Sequence, residues 1–180
     1  MFNDKYGLTE AVLKGLKTMT RRAVTRELLE CIRQYSHGDE EELRYRLIAN
    51  APYKVGEIVA VAQRYSDIFT DPYHIGLYGR TAGWNNKMFV NAIEMPHHIE
   101  MLNYHVEHMQ DISDEDCMKE GVLYSNDYTL PYYIPEKYSN VFFGYRSPRE
   151  AFAALVDKVS GRGKWKSNLI VYAYTYKLID

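Results

Sequence analysis

The sequence predicts an α+β fold: a small β-barrel with short flanking helices and an inserted helical hairpin. Three observations point there. Segments rich in β-branched and aromatic residues recur at 58–63, 96–110 and 169–178. Short helical segments with clear start signals, at Ser113 and Ser147, lie between them. There are 17 tyrosines, and most read as strand residues, because tyrosine suits a pleated, half-buried surface.

Residues 8–14 read as a first short helix. Leu8, Ala11 and Val12 share a face, and Gly15 stops it. The polar, basic run Gly15-Leu16-Lys17-Thr18-Met19-Thr20-Arg21-Arg22 follows. On an irregular or helical turn, Lys17 and Thr20, three apart, point to one side. Residues 24–50 read as the helical hairpin. Leu28, Leu29 and Ile32 make one apolar stripe, and Leu43, Leu47 and Ile48 the other. The turn Ser36-His37-Gly38-Asp39 separates them, and Glu40, Glu41 and Glu42 suit a helix start.

Pro52-Tyr53-Lys54-Val55-Gly56-Glu57 is a turn into a buried strand at 58–63. Residues 66–85 are rich in Gly, Asp, Tyr and Pro and read as a long loop, with 66–84 a second insertion. A short strand is expected at Met88-Phe89-Val90. A longer one follows over 96–110, where Ile99, Met101, Tyr104 and Val106 alternate imperfectly. Ser113 caps a helix with Asp114, Glu115 and Asp116 in its first turn, ending at Gly121. Residues 124–137 read as irregular. Ser147 and Pro148 open the last helix, which faces Phe152, Leu155, Val156 and Val159 to the core and ends at Gly161. A strand over 169–178 closes the fold.

The 180 residues suit one domain spanning 1–180. A formal charge of −2 excludes a non-specific duplex binder, so any nucleic-acid contact must be local. Cys31 and Cys117 fit neither a disulfide framework nor a zinc spacing, and a reducing, cytoplasmic setting is expected. Met1-Phe2-Asn3-Asp4-Lys5 does not read as a signal peptide. No apolar run approaches the roughly 18 residues of a membrane span. His97, His98, His105 and His108 do not make a metal motif, since 105 and 108 point to opposite faces of a strand. No cofactor is expected.

The run from Gly15 to Arg22 resembles the signature of the ASCH domain family, in which a helix ends at a glycine and a lysine, threonines and an arginine line a ligand cleft. The turn at 52–57 resembles that family's entry into its first barrel strand. Gln110-Asp111-Ile112-Ser113-Asp114-Glu115-Asp116-Cys117 with Glu120-Gly121 resembles its internal helix, and residues 152–168 with the last strand resemble its longer, phage-related members. The resemblance implies a PUA-like β-barrel with a cleft for RNA or a modified nucleoside. Some small members are amidohydrolases that remove the acetyl group of N4-acetylcytidine. Their catalytic lysine, threonine and glutamate fall on Lys17, Thr20 and Glu120. Thr18, Arg21, Arg22, Asn86 and Lys87 are then expected to line the ligand site. Arg21 stands where the small enzymes tend to carry an apolar residue, and this chain is much longer.

The residue chemistry allows two functions. A threonine hydroxyl needs a base to become a nucleophile. Lys17 can serve if burial or a neighbouring cation, Arg21 or Arg22, lowers its pKa. Glu120 would then carry the proton to a leaving amine. Alternatively, Lys14, Lys17, Arg21, Arg22 and Arg26 form a basic cluster that grips phosphates while Tyr6, Tyr53 or Tyr65 stacks a base, with no turnover. A third class is a protein-interaction domain that uses the helices of 24–50 as its surface.

Overall fold

One buried strand organises the molecule. The computed structural model describes residues 1–137 and 143–180. In it β7 (Ile170–Leu178) lies at the centre of a four-stranded antiparallel sheet, between β1 (Met19–Ala23) and β3 (His98–His108). β2 (Ile58–Ala60) adds to the far edge of β3. A register shift between Met101 and Asn103 leaves Leu102 as an extra residue, and such bulges bend a strand. The result is a curled antiparallel sheet with helices around it, an α+β architecture.

β7 alternates between two cores. Tyr172, Tyr174 and Tyr176 face a cluster with Val12, Ile32, Leu43, Leu47 and Val61. Val171 faces the other, with Ile112, Cys117, Phe152 and Leu155. Both faces are covered, so β7 reads as a nearly continuous apolar run. Its tyrosine rings fill the core while their hydroxyls hold other segments. Tyr172 Oη donates to the Leu47 carbonyl at 3.0 Å, and Tyr174 Oη accepts from the Tyr53 N–H at 3.3 Å.

The hairpin expected over 24–50 is α2 (Arg26–Ser36) and α3 (Glu40–Ala49), capped by Thr25 and Asp39 and packed on each other. His37 adopts a left-handed conformation at the turn. Short α1 (Leu8–Leu13) precedes β1. On the other face, α6 (Asp114–Lys119) packs against α7 (Pro148–Ser160), capped by Ser113 and Ser147 as expected. A small sheet pairs β4 (Leu123–Tyr124) and β5 (Tyr132–Tyr133), from the stretch read as irregular over 124–137, with β6 (Gly144–Tyr145) beyond it.

Four expectations are corrected. The run containing Thr20 and Arg21 is a strand, not a turn, because β7 pairs with it from Met19 to Ala23. The long loop contains α4 (Tyr65–Ile68), α5 (Pro72–Tyr78) and a 3₁₀ turn at Ala82–Trp84. Asp71 accepts from the His74 N–H and Pro72 stands at the first helical position, which is enough to start α5. Met88 and Phe89 lie in a 3₁₀ turn, Lys87–Phe89, capped by Asn86. The strand at 58–63 is a short edge strand rather than a buried one, with Ile58 61% exposed. No helix among the described residues is long and apolar enough to cross a membrane.

Candidate functional site

The polar residues of β1 are buried by counter-ions delivered from far along the chain. Lys17, just before β1, has a side chain only 2% exposed. Its Nζ donates to Glu120 Oε2 at 2.6 Å, to the Glu120 carbonyl at 2.7 Å and to the Met19 carbonyl at 2.7 Å. An ammonium has three protons, and all three are used. The Glu120 carbonyl is free to accept because α6 ends there. Gly121 then turns the chain at φ +105, a conformation natural to glycine. A β-carbon at Gly121 would stand 3.0 Å from Leu8 Cδ2.

Arg21 supplies the second cation. Its side chain is 1% exposed and its guanidinium reaches three carboxylates. Nε donates to Glu107 Oε1 at 2.7 Å, one terminal nitrogen to Glu120 Oε1 at 3.2 Å, and the other to Asp116 Oδ2 at 3.5 Å. Glu120 is thus held by Lys17 on one oxygen and by Arg21 on the other. Lys119 approaches Asp116 from outside at 3.3 Å, and His105 Nε2 lies 3.0 Å from Glu107 Oε2. Burial pulls the Lys17 ammonium below the usual lysine range, against the opposing pull of the Glu120 carboxylate.

Alternation along β1 sends Thr20 to the opposite face from Arg21. The Thr20 side chain has no hydrogen-bond partner among the described residues and borders two small cavities. One, of about 110 Å³, is also lined by Phe2, Lys17, Arg22, Glu120 and Phe152. The other, of about 130 Å³, is lined by Phe2, Thr20, Arg22, Tyr53, Val59 and Ile99. A larger cavity of about 530 Å³ lies elsewhere, between α3 and β3, and includes none of Lys17, Thr20 or Glu120. Size favours that one. The buried titratable groups Lys17, Arg21 and Glu120 favour the 110 Å³ cavity, the one they line, and chemistry depends on those groups.

The structure therefore joins Lys17, Arg21 and Glu120 in one ion cluster, and Thr20 and Arg22, on the other face of β1, share with them only the lining of the 110 Å³ cavity. Three other expected residues stand apart from the cavity lining. The Thr18 main chain bolts two elements together: its N–H donates to the Lys119 carbonyl and its carbonyl accepts from the Tyr176 N–H. Asn86 caps its 3₁₀ turn. Lys87 donates to the Phe2 carbonyl, to Asp4 Oδ1 at 2.7 Å and to Thr9 Oγ1 at 2.9 Å. The five cations do not form an open phosphate-gripping patch. Lys17 and Arg21 are buried in ion pairs, Lys14 pairs with Glu10, and Arg26 pairs with Glu30. Of the tyrosines considered for stacking, Tyr53 borders the site. Tyr6 is buried in the opposite core, and Tyr65 is buried with its hydroxyl accepting from the Asn91 N–H.

Sequence reasoning missed Glu107, Asp116 and Phe2. The acids of Asp114–Asp116 satisfied a helix start, so nothing in the pattern called for a distant cation. Comparison of the chain with family models, with curated proteins and with solved structures gave no match.

Proposed function

We propose that this is an ASCH-type protein with a PUA-like fold, which binds a modified nucleoside or RNA base at the cavity of Lys17, Thr20 and Glu120. There it hydrolyses an N-acyl group from a base such as N4-acetylcytidine. The observation that carries this reading is that three residues, two of them a hundred or more positions from the third, line one partly enclosed space. The partnerless hydroxyl beside a saturated lysine–glutamate pair is an arrangement suited to acyl transfer.

The reaction begins with one proton passing from Lys17 Nζ to Glu120 Oε2 across 2.6 Å. Thr20 Oγ1 then attacks the acyl carbon while its proton goes to the Lys17 amine. Glu120 protonates the departing exocyclic nitrogen, restoring ammonium and carboxylate. Water repeats the sequence on the acyl-threonine and releases the acid. General acid–base help of this kind is worth on the order of 10²–10⁴-fold.

A specific observation favours a second reading, binding without turnover. Arg21 donates to the other oxygen of Glu120, so both carboxylate oxygens are already held in buried ion pairs. One experiment separates the two. Acetate release from N4-acetylcytidine is followed for the parent, Lys17→Ala and the near-isosteric Thr20→Val, with folding checked by circular dichroism. Hydrolysis by the parent that is lost in both folded variants supports the enzyme. Binding by the parent without acetate supports the binding module. Full activity in Lys17→Ala sinks the mechanism, and neither binding nor release by the parent sinks both readings.

A further inference from the structure

Small-molecule sites usually measure roughly 300–1,000 Å³. The cavities at Thr20, about 110 and 130 Å³, each fall below half of that lower bound. They share four lining residues: Met1, Phe2, Thr20 and Arg22. Met1 and Phe2 thus border both cavities, together with Thr20 and Arg22 of β1. The Phe2 ring sits with its centroid 5.8 Å from the Lys17 ammonium and 5.8 Å from the Tyr176 ring, at an interplanar angle of 48°. A cation and an aromatic face are what a flat heterocycle would meet in the same place.

The segment is held from outside that space and by its main chain. Lys87 donates to the Phe2 carbonyl, and Arg22 donates to the Met1 carbonyl at 3.4 Å. The Arg22 contact is the guanidinium's one hydrogen bond among the described residues. None of these bonds depends on which side chain fills the cavity.

We infer that residues 1–3 are a displaceable plug, with Phe2 standing as an internal pseudo-ligand in a subsite for a planar heteroaromatic ring. Displacement merges the two cavities into one cleft bordered by Lys17, Thr20, Tyr53 and Tyr176, and frees Arg22 to donate to a carbonyl on the rim of the incoming ring. The inference rests on the proposed nucleoside site for the identity of that ring, but not for the existence of the plug. A closed majority state lowers the apparent affinity in proportion to the open fraction. Emptying the subsite or loosening its clamp therefore tightens binding.

The test is calorimetric titration of the parent, Phe2→Ala and Lys87→Met with two probes, N4-acetylcytidine and indole. Lys87→Met leaves the cavity lining intact, so it carries the test if Phe2→Ala fails to fold. At least tenfold tighter binding of N4-acetylcytidine by the folded variants is the expected result. If no protein binds the nucleoside but Phe2→Ala takes up indole and the parent does not, the plug stands and the nucleoside reading falls; dry apolar cavities bind such aromatics. Affinities for both probes that are unchanged or weaker in the variants overturn the plug.

Discussion

Replacing Arg21 by methionine tests the physical core of the site. The substitution keeps the length of the buried stem and removes the guanidinium. Glu107 and Asp116 then lose their internal cation, and Glu120 keeps only Lys17. Glu107 and Glu120 are nearly buried, with side chains 15% and 6% exposed, so water cannot fully replace the lost partner. Breaking a buried ion pair from one side costs about 3–5 kcal/mol, because the remaining charge is left uncompensated. In a chain of this size each kcal/mol lowers Tm by roughly 2–4 °C, so the expected fall is about 6–20 °C. Urea and thermal unfolding of Arg21→Met measure it directly. Adding Glu107→Leu should recover part of the loss by removing one stranded charge, with a coupling on the order of 0.5–3 kcal/mol. A loss below about 1 kcal/mol, or full additivity of the two changes, would show that the cluster is well solvated and would refute the reasoning.

Two further expectations concern the cysteines and Gly121. Cys117 is fully buried and burial pushes its thiol up to about 12, whereas Cys31 is exposed, so native protein at pH 8 should take up one equivalent of a thiol reagent quickly and a second only on unfolding; fast labelling of both in the native state would contradict the packing. Gly121→Ala places a β-carbon against Leu8 at a positive φ, so it should cost about 1–3 kcal/mol in urea unfolding and disturb the Lys17–Glu120 carbonyl bond; a neutral effect would mean that this turn relaxes freely.

What the sequence made legible depended on whether the cause was local. Ser113, Asp39 and Ser147 cap helices through bonds two or three residues long, so their helices were readable. The alternation of 96–110 and the β-branched end of the chain gave the two longest strands, β3 and β7. β1 was hidden because Thr20 and Arg21 look like surface residues, and what buries Arg21 comes from residues 107, 116 and 120. α5 carried its own signal in Asp71 and Pro72, but the glycines and aromatics around it read as loop. The convergence of Lys17, Thr20 and Glu120 was expected from resemblance alone. The ion cluster behind them has no one-dimensional signature, since its spacing is set by how two cores flank one sheet.

The position of β7 has a consequence for how such a chain comes into being. Met19 pairs with Thr175 and Tyr104 with Tyr174, so the strand that joins the two halves of the sheet is synthesised after everything it joins. A ribosome-bound chain halted before residue 170 has no rung to hold β1 beside β3. Such distant pairing closes a very long loop, which slows folding. Tyr176, the aromatic wall beside Phe2, is itself part of β7, so a nascent chain has no finished pocket to occupy until that strand slots in.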